Sequence, residues 1–260
     1  MEKEKLKIRD MKKIRKYFIL AVIPLVLSAC AMSEKDNYNG IDVSSGKGGS
    51  LARFTIAGNY LYTVDQSSLH TISLADAEHP IKLADRSLGI YTETIYPYQN
   101  SLLLGTETGM FVFGLTDPAN PQQITYFQHI RSCDPVVAQY DYAYITLNTS
   151  NQRCFNGANE LQILNIKNLN SPQLVKTISL TTPLGLDIEN DTLYVCDQGL
   201  RVYNVADKQN PVQINYFSDI KAQDVIHLTG RLIVIGTDGL HQYRQSAGGL
   251  VKISTIPIQL

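Results

Sequence analysis

Apolar residues in this chain fall in runs of five to eight with partial two-residue alternation, and Gly, Asn, Asp and Pro break the runs. That pattern predicts short β-strands, and no window shows the 3.6-residue period of a long helix. Five of the runs, Leu69–Leu74, Met110–Leu115, Leu161–Ile166, Leu200–Val205 and Leu240–Gln245, start 41, 51, 39 and 40 residues apart. A second ladder of runs, starting at Tyr60, Ser101, Tyr142, Thr192 and Arg231, is spaced by 41, 41, 50 and 39. Both ladders describe five repeats of about forty residues, and a fixed period of this size marks a repeat architecture.

The repeats are punctuated alike. Asp76 precedes Pro80, Asp117 precedes Pro121, Asn168 precedes Pro172 and Asp207 precedes Pro211, each four residues on; the fifth repeat lacks the proline. An Asp or Asn side chain can bond its own backbone and hold a turn, and proline lacks the ladder donor, which suits entry to an edge strand. In the fourth repeat this gives strand a at Gly185–Ile188, a turn at Asn190 and Asp191, strand b at Leu193–Asp197, strand c at Leu200–Val205 and strand d at Pro211–Phe217. Four antiparallel strands per forty residues describe a propeller blade. The expected fold is all-β, a single five-bladed β-propeller with blades at about 51–89, 90–131, 132–182, 183–221 and 222–260. Each blade is expected to use consecutive sequence, and closure to rest on face-to-face packing of blades 1 and 5 through Phe54, Ile56, Leu232 and Val234.

A strand c followed by Asp-x-x-x-Pro is similar to the LVIVD repeat of bacterial propeller proteins, over residues about 50 to 260. The resemblance implies a propeller, usually secreted, and carries no agreed reaction or catalytic motif.

The N-terminus reads differently from the repeats. Lys12, Lys13, Arg15 and Lys16 lead into the apolar run Tyr17–Ala29, too short to span a bilayer core of about 30 Å comfortably. Residues 1–29 are therefore read as a secretory signal, with Met1 or Met11 as its start. Leu27-Ser-Ala-Cys30 resembles the bacterial lipobox, which implies that Cys30 becomes the lipidated first residue of a membrane-anchored lipoprotein. The expected address is the outer membrane, periplasmic or surface-facing. Ser33-Glu-Lys-Asp36 resembles the charged export tags of Bacteroidetes surface lipoproteins. Residues 30–50, polar and rich in glycine, are read as a flexible tether. The leader holds eight Lys or Arg against three acids, so a chain of formal net charge −1 leaves −6 on the remainder. A mildly acidic body without a basic stripe argues against nucleic acid as a partner.

The third repeat is longer because its b-to-c loop, Asn148–Glu160, is extended. Cys154 lies in that loop, and Cys133 at the entry to strand a of the same blade, where the end of strand b also emerges. An extracytoplasmic address predicts a Cys133–Cys154 disulfide. Its 21-residue span corresponds to roughly 3 kcal/mol on the chain-entropy model. Cys196, mid-strand, reads as a small buried residue, and the cysteines lack the close spacing of a metal site.

Candidate chemistry is sparse. Polar residues near the starts of the inner strands, Arg53, Glu93, Asp134 and Asp224, are expected around the channel mouth, where they could bind a ligand or solvate a water-filled channel. Asp187, inside a strand, is expected to pair within its blade. The five histidines, His70, His79, His129, His227 and His241, read as structural or exposed. Most tyrosines, such as Tyr62, Tyr144, Tyr194 and Tyr203, read as blade packing. No nucleophile elbow, phosphate loop or dinucleotide fingerprint is present. No cofactor and no catalytic residue is assigned. The readings that stand are a non-enzymatic binding module for a protein or glycan, a hydrolase or lyase built on Glu93, Asp134 and Asp224, and a structural subunit of an envelope assembly.

Overall fold

The alternating runs form twenty β-strands and, among the described residues, no helix. A computed structural model describes residues 48–129, 135–149, 157–246 and 249–258. Cys30, Cys133, Asp134 and Cys154 lie outside the described residues, as do the signal and most of the tether.

Blade 1 comprises β1 (Phe54–Ala57), β2 (Tyr60–Val64), β3 (Ser68–Ser73) and β4 (Ile81–Ser87), and blade 2 comprises β5 (Thr92–Tyr98), β6 (Ser101–Thr106), β7 (Gly109–Gly114) and β8 (Gln122–Gln128). Blade 3 holds β9 (Val136–Gln139), β10 (Tyr142–Leu147), β11 (Glu160–Asn165) and β12 (Gln173–Ser179); blade 4 holds β13 (Pro183–Glu189), β14 (Thr192–Asp197), β15 (Leu200–Asn204) and β16 (Val212–Phe217). Blade 5 is β17 (Ala222–Leu228), β18 (Arg231–Gly236), β19 (Gly239–Ser246) and β20 (Gly249–Pro257). Each blade is a four-stranded antiparallel sheet of consecutive strands, and together they make a five-bladed β-propeller.

The corners work as their side chains dictate. Asp76, Asp117, Asn168 and Asp207 each accept, through Oδ1, the backbone N–H two residues on, at 3.0, 3.1, 3.1 and 2.9 Å. Strand d begins directly after each proline. One further device recurs in all five blades: the c–d register shifts after Thr71, Val112, Ile163, Val202 and Gln242. A bulge at one fixed place bends every outer strand in the same sense.

Four apolar cores lie between successive blades, from blades 1 and 2 to blades 4 and 5. Buried side chains also cross each junction to backbone carbonyls or amides. Tyr62 OH donates to Pro118 O at 2.8 Å, Tyr98 OH to Tyr140 O and Thr146 Oγ1 to Leu184 O, and His227 N donates to Asp187. Burial of the cores at about 25 cal/mol per Å² drives the stacking, and these bonds fix its register.

The meeting of blades 5 and 1 differs from the expectation. Leu232 and Val234 belong to the core between blades 4 and 5, and Phe54 is 61% exposed. In the middle blades strand b is buried on both faces, whereas β2 and β18 alternate buried with half-buried residues. Leu61, Ile72, Ile233, Ile235 and Leu240 are accordingly only half-buried. No apolar cluster among the described residues joins blades 5 and 1. Blade 5 is bonded instead to the segment before β1: Ser50, 2% exposed, donates from Oγ to Asp224 Oδ1 at 3.0 Å and accepts from Leu186 N of blade 4 at 2.8 Å. Leu51 N donates to Asp224 Oδ2 at 3.4 Å, and Ala52 O accepts from Ile95 N at 2.9 Å. Ser50, by composition the end of the tether, is thus an integral part of the domain, in a strap that reaches blades 2, 4 and 5.

Candidate functional site

Counting back from the a-to-b turns shows where the described residues of the predicted mouth stand. Arg53 and Asp224 occupy equivalent positions, and Glu93 occupies the position before. Neighbouring positions along a strand point to opposite sides. Arg53 Nη2 donates to Tyr91 OH at 3.2 Å, Glu93 is half-buried on β5, and Asp224 is 3% exposed beneath the strap. Among the described residues no three of His, Cys, Asp and Glu gather closely enough to hold a metal ion.

Asp224 is enclosed by backbone. An added Cβ on Gly49 would lie 2.1 Å from its Oδ2, and one on Gly185 would lie 2.2 Å from its Oδ1. Burial pushes the Asp224 carboxyl up to about 6, against hydrogen bonds from Ser50, Val225 N and Leu51 N and with the nearby Asp187 charge adding to the rise. Asp187 does not pair within its own blade alone. It accepts from Ile188 N at 2.8 Å and from His227 N of the next blade. Cys196, fully buried with a free thiol, has its pKa raised by burial and then by Asp224, so it is an inert core residue.

The open site lies elsewhere, at the end of the propeller that carries the a-to-b turns. Between blades 4 and 5 runs a groove in two adjoining parts of about 370 and 270 Å³ that share Thr192, Tyr194 and Gln245. The first part is floored by Val202, Ile214, Phe217 and Leu250; the second is walled by Glu189, Asn190, His227 and Thr229. Tyr194 and His227 stack with ring centroids 5.9 Å apart and planes 9° apart. His227 Nδ1 lies 3.4 Å from Glu189 Oε2, and Gln245 Nε2 donates to Tyr194 OH. Burial pushes the Tyr194 phenol up to about 12, so at neutral pH it is a neutral hydrogen-bonding group.

The sequence pattern singles out none of these groove residues as a site. It marks His227 only as structural or exposed, and its partner Glu189 is brought to it by the stacking of blades. A signal is nevertheless present, because in repeat register His227 stands where blades 3 and 4 have Ala138 and Ile188. His70 is similarly engaged, with Nδ1 2.5 Å from Asp85 and Nε2 3.0 Å from Asp65. The Asp85 hydrogen bond is the main cause of its raised pKa, opposed by partial burial.

The sequence matches no protein-family model and no curated protein. Among solved structures it is similar to the periplasmic gluconolactonase PpgL of Pseudomonas aeruginosa, at 12% identity and TM-score 0.62, covering 77% of this chain and 68% of that one. A Lactobacillus plantarum protein matches at 11% identity and TM-score 0.63, covering 76% and 67%. BamB of Moraxella catarrhalis matches at 8% identity and TM-score 0.51, covering 79% of this chain and 63% of that one. At these identities the likeness is one of fold, and the fold hosts unrelated functions.

Proposed function

We propose that this chain is a lipid-anchored, non-enzymatic binding module of the bacterial cell envelope, a propeller of the LVIVD-repeat kind that recognises a protein or glycan. The observation that carries the reading is the groove between blades 4 and 5, concave, mixed in polarity and built on rigid strands, as binding sites are. Of the three carboxylates of the hydrolase or lyase reading, Asp224 is occupied by the chain's own Ser50 and Leu51. The lipobox-like Cys30 and the signal before it support an extracytoplasmic address, outer-membrane in this reading, where a Cys133–Cys154 disulfide would form.

Two experiments test this. Cys30→Ala should leave an uncleaved or unlipidated precursor, and intact-mass spectrometry finding normal lipoprotein in that variant removes the anchor. The detergent-solubilised protein should be retained on immobilised cell-envelope material, with no soluble product released over hours. Release of product identifies an enzyme, and absence of retention removes the binding reading.

A further inference from the structure

Resting on that binding reading, we propose that the groove between blades 4 and 5 is a subsite for a neutral glycan chain, with Phe217 as platform and Asn215, Gln245 and Glu189 as hydrogen-bonding partners of its hydroxyls.

Shape gives the first argument. Two adjoining parts meeting at Thr192, Tyr194 and Gln245 make an elongated trough. Their volumes fall at or near the lower end of the range for small-molecule sites, about 300 to 1,000 Å³. Such a trough fits a few linked rings laid end to end.

Charge gives the second. Neither part is lined by Lys or Arg, and Glu189 adds a carboxylate whose side chain is 41% exposed. Phosphate, sulfate and uronate groups are held by cationic forks or ammonium groups. Their absence from the lining, with a carboxylate at one end, disfavours an anionic polymer. Amides, hydroxyls and a carboxylate suit a ligand whose polar groups are hydroxyls, since each can accept from or donate to one.

The third argument is the apolar floor. Phe217 is half-buried at the end of β16, and a Cβ on Gly249 would lie 3.6 Å from its ring. Gly249 has φ 114, a conformation that L side chains rarely adopt, so glycine both permits the backbone there and brings no side chain against the Phe217 ring. An aromatic ring flanked by fixed amides is a surface on which the C–H face of a pyranose can lie while its equatorial hydroxyls reach the rim. Gln245 is held for this by its bond to Tyr194 OH, and Tyr194 by its stack on His227. Fixing the amide beforehand lowers the ordering cost of binding.

The test applies the detergent-solubilised full chain to an array of neutral tetrasaccharides of glucose, xylose, mannose and N-acetylglucosamine, beside uronate and sulfated glycans. At least one neutral class should bind, and Phe217→Leu and Gln245→Ala should each weaken that binding at least tenfold without lowering Tm. Phe217 packs partly on the core between blades 4 and 5, so Phe217→Leu keeps apolar volume there while removing the ring, and Gln245→Ala acts at a solvent-exposed position. No neutral binding, preference for the anionic glycans, or binding indifferent to both substitutions overturns the inference. Retention on envelope material that depends on Gln245 but is matched by no neutral glycan overturns it while leaving the binding-module reading intact; loss of both removes both.

Discussion

Replacing Gly185 by alanine should lower the stability of the propeller by about 3 kcal/mol or more, at the upper end of what overpacking a dense interior costs. The reason is a close approach of two inner strands. Gly185 on β13 and Asp224 on β17 occupy the same position in successive blades, counted from their a-to-b turns. A Cβ at residue 185 would stand 2.2 Å from Asp224 Oδ1 and 2.8 Å from Asp224 Cα. The first contact could be relieved by turning a side chain, but the second involves backbone, so the strands must part. Parting them disturbs the Asp187–His227 bond and the bond from Leu186 N to Ser50, whose β13 partners lie within two residues of Gly185. For a domain of this size a loss of that order lowers Tm by roughly 6 to 12 °C. Gly48→Ala is the control, because its Cβ would meet only Ala52 Cβ, at 3.4 Å. Thermal melts followed by circular dichroism should separate the two variants clearly. Equal melting temperatures would show that blades 4 and 5 do not approach as closely as described.

That junction also shows what a sequence can and cannot display. Within a blade the determinants are local: alternation selects strands, and Asp207 selects its corner by bonding Gln209 N. The side chain of Asn210 and that backbone group hold the Asp207 carboxyl below its usual range. Repetition then multiplies each local signal by five, which is why the propeller is legible. Between blades the determinants are not local. Ser50 lies 136 residues from Leu186 and 174 from Asp224, and its Gly-rich surroundings have the composition of a linker. Glycine there signals close backbone approach instead, as Gly49 against Asp224 demonstrates. The same limit applies to the groove. Glu189 and His227 come together because blade 5 is stacked and rotated on blade 4, and only the mismatch of His227 with Ala138 and Ile188 hints at it. Glu93, for its part, stands one strand position away from the place of Asp224 in its blade.

Asp224 should make the protein less stable as pH rises from about 4 to 7. An unfolded aspartate titrates near 3.9, and burial raises the folded group to about 6. Between those values the folded state binds a proton that the unfolded state has released, so stability falls with increasing pH. The contribution is fully present below pH 4 and lost as the pH passes through 6. A rise of that size is equivalent to on the order of 3 kcal/mol. Asp224→Asn removes the titration while keeping an oxygen to accept from Ser50 Oγ. Its cost is the weaker contact to Leu51 N, 3.4 Å in the parent, where an amide nitrogen would meet another donor. The informative quantity is the stability of the parent minus that of the variant, from urea unfolding at pH 4.5, 5.5, 6.5 and 7.5. Taking this difference cancels groups common to both proteins, including His70, whose raised pKa supports stability at low pH as well. The difference should fall steadily across the series, and the variant should match or exceed the parent at pH 7.5, where the parent holds a buried charge with no cation beside it among the described residues. A difference that stays flat with pH would mean that the strap leaves Asp224 open to solvent, and that the segment before β1 is held to blade 5 in some other way.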